Sequence, residues 1–562
     1  MLAKLFCGCI LYSKLKTGCS QHVLESIKSV RNGKTYFTHL VRETYRESGK
    51  IKHRTVSNVS NLPAEHLRQL KNNLAGKNGN ISIDDLEHGR SYEYGASYAF
   101  MQLARELELD KMIFSQKEQW REDVLAMIVG RLTYQGSKLS LTNMYADTVL
   151  WSLSGHEPGV RPEVEKHCYA AMDELLKRKA KIECRLAQKH LQDGCVVLYD
   201  MTNCWFEGEY ADSEYVSFGK AKGGKTGYKQ IAIGLLTDKY GCPVGVEIFK
   251  GSTSDQTTVL DEVKKLSTTY GLKDIIFTGD RGMLTQKRID EVSESEYKTV
   301  TALTHPQIKS LIEKDNIQPD LFDEKNIIEV LDCDNKNIRY ILCKNENTMR
   351  DERATRNGLI EKVKQDLAQK AGVAKTRDKL KVAASIGRLF EKRKVEKFFA
   401  WRVGDKGELT WSLKDEIVKQ EELLDGCYVI RTDVPENKFN KLEVVEAYRN
   451  LQKVEQAFKN LKTVMLELRP MYHKTDDRLK AHIFMVSLAY YIQWHATQRL
   501  KPLFEADGEY GDKRWTFEIV VERLKSIRLT ETLIGGIVVK KCVSKPDEEQ
   551  KKILELLNVK LK

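Results

Sequence analysis

Apolar and polar positions alternate along residues 34–60 (KTYFTHLVRETYRESGKIKHRTVSNVS), on either side of Ser48-Gly49. A period of two around a Ser-Gly turn predicts a basic β-hairpin. From about Ala64 the spacing becomes helical, through Ala96–Leu109 and Trp120–Tyr134. A different pattern begins at Cys195. CVVLY (195–199) runs into Asp200, IAIGLL (231–236) turns at Asp238-Lys-Tyr-Gly241, and VGVEIF (244–249) follows. Helical spacing covers 258–269 and 284–292, between them DIIFT (274–278) runs into Gly279-Asp280, and a fifth strand covers 299–303. The predicted order is β-β-β-α-β-α-β, with the first three strands joined by hairpins. Val444, Ala447, Leu451, Val454, Phe458, Leu461, Met465 and Leu468 recur at three and four residues, which predicts one long helix. Between lies 305–435, with a charged helical run (350–397) and hairpin patterns near Gly404–Gly407 and Asp425-Gly426. So long a stretch is not a bare loop, and reads as an inserted domain.

Composition narrows the function classes. The 562 residues are 41% hydrophobic, enough for several domain cores and against wholesale disorder. The 92 basic and 80 acidic residues leave a net +12, which suits a polyanionic partner without requiring one. The twelve cysteines form no CxxC pair, so neither a disulfide scaffold nor a zinc ribbon is expected. Cys7, Cys9 and Cys19 with His22 fit no zinc spacing. The longest apolar run, Ile483–Trp494, is broken by Ser487 and Gln493. A bilayer span needs ~20 residues, so this reads as a buried helix and no membrane is expected. Lys14 and Lys16 follow the apolar N-terminus with no small-residue cleavage motif, so the chain reads as non-secreted.

Two constellations could carry chemistry. Gly219–Thr226 (GKAKGGKT) matches the phosphate-loop pattern. That loop works only where a helix begins at its lysine, and here the strand IAIGLL follows. The better reading is a chance match in a Gly/Lys-rich loop, which is a flexible basic connection, a contact to a phosphate backbone through Lys225 and Lys229, or both. The second constellation is a carboxylate set. In the predicted topology the first and fourth strands are neighbours, which brings Asp200 and Asp280 together. Glu455 lies beside the apolar stripe of the 444–468 helix, and Tyr448, Glu455 and Lys462 recur every seven residues on one face. Close carboxylates repel unless a divalent cation bridges them. Asp200, Asp280 and Glu455 together would hold two Mg²⁺ ions, with Mn²⁺ able to substitute, for in-line phosphoryl transfer.

Tyr199-Asp200-Met-Thr202, Thr278-Gly-Asp280-Arg-Gly-Met283 and Tyr448…Val454-Glu455-Gln-Ala-Phe458-Lys-Asn-Leu-Lys462 resemble the DDE transposases of bacterial insertion sequences. The likeness is to the IS-four-like group, in its long branch with an insertion between the second Asp and the Glu. Lys250–Asp255, Leu468–His473, Arg478–Phe484, the N-terminal hairpin and Arg131–Leu141 extend it over roughly 35–500. The resemblance implies an α/β protein: an RNase H-like mixed-sheet catalytic core with an inserted α+β domain and an N-terminal, mainly helical DNA-binding region. It implies Asp200, Asp280 and Glu455 as catalytic metal ligands, and Tyr448 and Lys462 as contacts to the terminal phosphate. Leu451 stands where the group's helix signature has an Arg that assists a DNA hairpin, and Arg449 and Lys453 are nearby but out of position. An insertion-domain Trp stacks on a flipped base in some relatives. Trp401 and Trp411 are candidates here, against the commoner role of a core aromatic. His473 and His482 read as packing residues.

The expected organisation is an end-binding hairpin and helical region over 1–150 and a first core part over 151–304. An insertion over 305–435 and a second core part with the Glu helix over 436–500 follow, then a helical dimerisation region over 501–562. The expected function is binding of terminal inverted repeats in double-stranded DNA, metal-dependent cleavage, and strand transfer to target DNA. A homodimer in a synaptic complex would do this in the bacterial cytoplasm, at the nucleoid. A metal-dependent nuclease on the same fold and a non-catalytic DNA-binding descendant are the alternatives. An ATPase is disfavoured by the strand after Thr226.

Overall fold

In the computed structural model the alternating N-terminal segment forms β2 (Lys34–Glu47) and β3 (Lys50–Asn58), with β1 (Gln21–Arg31) antiparallel to β2. The residues described are 21–562 apart from 32–33, 48–49, 76–85, 221–226, 319–320, 323–326, 373–377, 463–465, 467, 469–470, 472, 506–513 and 535. The Ser48-Gly49 turn and the first three cysteines therefore lie outside them.

The chain divides into two units. The first comprises residues 1–171 and 492–562. In it β4 (Leu86–Glu93) pairs with β16 (Arg528–Ile534), which pairs with β17 (Ile537–Val543). The C-terminal stretch expected to be helical therefore contributes two strands. Its pattern misleads because both strands are only half-buried. The helices Gly95–Glu106 and Gln119–Thr133 are almost wholly buried. The buried Glu93 accepts from the backbone N–H of Ala96 at 2.7 Å and of Ser97 at 3.3 Å, and so satisfies orphan donors at the first of these helices.

The second unit, residues 172–491, is built on a nine-stranded mixed sheet. Its first strands are β5 (Cys195–Trp205), β6 (Ser217–Phe218), β7 (Lys229–Asp238) and β8 (Pro243–Lys250). The helix Asp255–Thr268 leads to β9 (Ile275–Gly279), and the helix Gln286–Ser293 to β10 (Lys298–Ala302). Apart from the two-residue β6, this is the order the apolar runs predict. β5 lies parallel to β9, β9 parallel to β10, and β5 antiparallel to β7.

Three differences from expectation bear on the site. First, β5 does not stop at Asp200 but continues to Trp205, paired throughout with β7. Second, the sheet extends into the stretch assigned to the insertion. β11 (Ile328–Leu331), β12 (Arg339–Lys344) and β15 (Cys427–Thr432) pair in that order onto β10. The segment off the sheet is thus shorter than 305–435. It consists of the helices Glu346–Ala371, Lys379–Arg393 and Asp415–Glu422 and the hairpin β13 (Phe399–Val403)–β14 (Leu409–Leu413), over its own apolar cluster. Third, the predicted 444–468 helix is two helices, Lys441–Arg449 and Leu451–Lys462, meeting at Asn450. The apolar stripe continues across the break, so its period could not reveal it. Among the described residues no helix is long and apolar enough to cross a membrane.

Candidate active site

β5 and β9 set the first two carboxylates. Their parallel ladder ends at the pair Tyr199↔Gly279. Asp200 is the next residue of β5, and Asp280 is the residue just past the end of β9. β9 stops there because Asp280 turns the chain: its backbone C=O accepts from the N–H of Met283 at 2.9 Å, and its Oδ1 from the N–H of Arg281 at 2.8 Å.

Strand alternation then decides which way each residue of β5 faces. The Tyr199 hydroxyl donates to Thr258 Oγ1 at 3.1 Å, and the Thr258 hydroxyl contacts Met201 Sδ at 2.9 Å, so both face the helix Asp255–Thr268. The Tyr199 ring passes close to Gly234 on β7, where a Cβ would sit 2.3 Å from its hydroxyl. Asp200 and Thr202 therefore face the other side of the sheet. The Lys462 ammonium donates to the Thr202 hydroxyl there, which docks the helix Leu451–Lys462 on that face of β5. Val454, Ala457, Phe458 and Leu461 are the buried side of this helix, while Glu455 is exposed on its rim.

Tyr448, at the end of the preceding helix, joins the group. Burial pushes its hydroxyl up to about 12, and the charges of Asp280 and Glu455 add to the shift while Arg281 opposes it. The structure thus gathers Asp200, Asp280, Glu455, Tyr448 and Lys462 around the end of β9 and the neighbouring middle of β5. The three carboxylates do not form a set with ligand atoms within 4.8 Å of one another. Like charges repel, and drawing three together takes a cation.

The other expected contacts fall elsewhere. Lys229 opens β7, opposite Phe218 on β6, while Lys225 lies outside the described residues. A strand, not a helix, follows the glycine-rich loop, as the argument against a phosphate loop requires. Trp401 on β13 pairs across the hairpin with Trp411, and its ring packs on Phe390 at 5.9 Å between centroids, within the apolar cluster of the off-sheet segment. His473 and His482 pack against each other, centroids 5.1 Å apart, and both are buried. Arg449 donates to the Tyr428 hydroxyl at 3.1 Å, and Lys453 donates to the Lys239 carbonyl at 3.3 Å. Neither replaces the missing Arg, whose position holds the buried Leu451. Thr202 and Arg281 were not singled out from the sequence. Both lie inside the quoted motifs, but nothing in their spacing marks them.

Residues 192–492 match the family model described as the transposase DDE domain, more than half of the chain and nearly all of the second unit. The chain belongs to the DDE transposase family. Residues 24–82 match the N-terminal domain of IS1634 family transposases, which covers most of β1, all of β2 and β3, and the helix Ala64–Leu74. This protein is therefore the DNA transposase of an insertion sequence, and its reaction is DNA cleavage and strand transfer. The N-terminal match names IS1634, where the motifs resemble the IS-four-like group. No curated protein matches the chain. Two solved structures are distantly similar. One is a piggyBac transposase synaptic complex with hairpin DNA, at 9% identity over 77% of this chain and 79% of that one, with a TM-score of 0.34. The other is a Mos1 transposase paired-end complex with the left transposon end, at 17% identity over 42% and 68%, with a TM-score of 0.14. DDE transposases use divalent metal ions, and an all-carboxylate donor set is the chemistry such hard cations take.

Proposed function

We propose that Asp200, Asp280 and Glu455 are the catalytic metal ligands of this transposase. The core that carries them would be RNase H-like and of the IS-four-like kind. The ions would be two Mg²⁺, replaceable by Mn²⁺, because oxygen ligands alone suit both. The observation that supports this is the ladder ending at Tyr199↔Gly279, which leaves Asp200 and Asp280 side by side, with the Glu455 helix packed on β5. Once bound, the ions would activate a water or a 3′-hydroxyl and stabilise the leaving oxygen of an in-line transfer. The protein's own groups do the rest. Lys462, tethered to Thr202, presents an ammonium beside Asp200 for the phosphate being cleaved. Tyr448 keeps its proton and so donates a hydrogen bond to the same phosphate. Lys229 and Lys225 contact the DNA backbone on either side of the glycine-rich turn. The N-terminal 1–150 recognises the terminal inverted repeats, and a homodimer pairs two ends before they join target DNA.

The test is cleavage and joining of a labelled duplex carrying the DNA that flanks the gene, with Mg²⁺ and with EDTA. Asp280→Asn and Glu455→Gln should each lower nicking and joining by at least ~100-fold, the scale of losing one preorganised charge-stabilising group. Both variants should keep the wild-type circular dichroism. Wild-type rates in either folded variant would remove that residue from the site.

A further inference from the structure

A second cluster of ligand-type side chains lies within the first unit, on residues that the transposition chemistry does not use. Asp123 sits on the buried helix Gln119–Thr133, and its side chain is 2% exposed. One carboxylate oxygen is 2.6 Å from His156 Nε2 and the other 3.1 Å from His167 Nδ1. The ligand atoms of all three residues lie within 4.8 Å of one another. The two imidazole rings meet edge to face, centroids 4.6 Å apart. Gln119 Nε2 completes the surroundings, at 2.8 Å from the Asp123 carboxylate and 3.1 Å from His156.

We infer that Asp123, His156 and His167 form a binding site for a zinc-type divalent transition-metal ion, separate from the catalytic carboxylates. Three observations carry this. A buried carboxylate is costly unless a positive charge offsets it, and the hydrogen-bond partners of Asp123 are two imidazoles and an amide. The donor set fits the ion, because imidazole nitrogen selects zinc and its neighbours over Mg²⁺, which the oxygen-only catalytic set prefers. The spacing is close to what such an ion needs. Ligands ~2.0–2.1 Å from zinc in a tetrahedron stand ~3.3 Å apart, so contacts of 2.6 and 3.1 Å open by less than about 1 Å to admit it. The backbone agrees: His167 lies on a π-helical turn, Val164–Tyr169, a form frequent at functional sites. A bound ion would tie the Gly- and Pro-rich segment 154–163 (SGHEPGVRPE) to the Gln119–Thr133 helix. A fourth position would be left to water.

The experiment takes the full-length protein, stripped with EDTA and desalted, and titrates it with Co²⁺ in excess Mg²⁺. One equivalent should bind with the visible ligand-field bands of a low-coordinate site, and Zn²⁺ should displace it. Asp280→Asn should keep those bands. His167→Gln, which keeps a hydrogen-bonding group beside Asp123, should weaken binding by more than the ~10–100-fold typical of an outer-shell partner. X-ray absorption of the wild-type zinc protein should resolve two imidazole ligands, a readout independent of whether the variant folds. A hydrogen-bonded network and no metal site is the conclusion if the wild type shows no one-equivalent step. An oxygen-only shell, or bands lost in Asp280→Asn but kept in His167→Gln, would assign the ion to the catalytic carboxylates and overturn the inference.

Discussion

Tyr448 is buried enough, and close enough to Asp280 and Glu455, to hold its proton far above neutrality. It can therefore donate a hydrogen bond to a phosphate, and it adds no negative charge to a site already rich in carboxylates. A hydrogen bond to a charged group contributes about 1.5–3 kcal/mol. Tyr448→Phe should accordingly lower end cleavage by about 10–100-fold, measured as single-turnover nicking, with the fold unchanged. An unchanged rate would mean that the hydroxyl only packs. At this scale the sequence was informative where a residue follows an apolar run. Asp200 follows CVVLY and Asp280 follows DIIFT and Gly279, and it is the predicted strand order, not either run alone, that brings them together. Thr202 and Arg281 were silent because a short hydroxyl and an exposed cation carry no periodicity. Their roles depend on what the fold brings opposite: the Lys462 ammonium for one, the Tyr448 hydroxyl for the other.

The face of β5 opposite Asp200 rests on the helix Asp255–Thr268, and here elements are held by buried charge. Lys265 on that helix bridges Glu183 of the helix Lys179–His190 at 2.8 Å and Glu247 of β8 at 2.7 Å, and Lys179 bridges Glu247 at 2.6 Å. Glu262 is buried one turn before Lys265. Burial raises its carboxyl to about 7, with Lys265 opposing and Glu247 and Glu183 reinforcing. The folded state therefore holds this proton more tightly than the unfolded chain does. The associated stability is complete below the ordinary value of 4.5 and is lost as the pH rises through about 7. Glu262→Gln removes the titration. It should be nearly neutral at pH ~5 and stabilise the unit by on the order of 2–3 kcal/mol at pH ~8. Denaturant melts of both proteins at the two pH values check this, and equal pH dependence would show that Glu262 ionises freely. The elements were legible unevenly for a related reason. β7, β9 and the first half of β5 are near-continuous apolar runs, buried on both faces. β11 at the sheet's edge and β12 beside it read as IEVL and RYILCK, too short and too mixed to stand out from a charged stretch. Trp401 and Trp411 were readable as aromatics at a hairpin, but only the fold shows that they pair across it over Phe390.

At the scale of the whole chain, the first unit is assembled from both ends of the sequence, and no local pattern could announce that. β4 is a polar strand, LEHGRSYE, that finds its partner β16 more than four hundred residues later. Val539 of β17 shares a small core with Val41, Val59 and Leu70. The helix Phe517–Lys525 packs on Gly95–Glu106, and Tyr94 donates to the last carbonyl of the chain, Lys562, at 3.1 Å. Ile553 and Leu557, close to the C-terminus, are fully buried. The C-terminal stretch, expected from sequence to serve dimerisation, also supports the N-terminal unit structurally. Ending the chain at Lys525 removes β16 and β17, leaves the β4 backbone unpaired and opens the core around Val41. An unpaired edge and an emptied core both favour local unfolding and aggregation. Hydrogen exchange on the truncated protein should show lost protection in β4 and the helix Gly95–Glu106, with β5 and β9 still protected at wild-type levels. Binding to transposon ends should fail along with the first unit. A truncated chain that keeps β4 protected and loses only self-association would show that the segment serves dimerisation and not the fold of the first unit. Loss of protection throughout β5 and β9 would mean that the two units do not unfold independently.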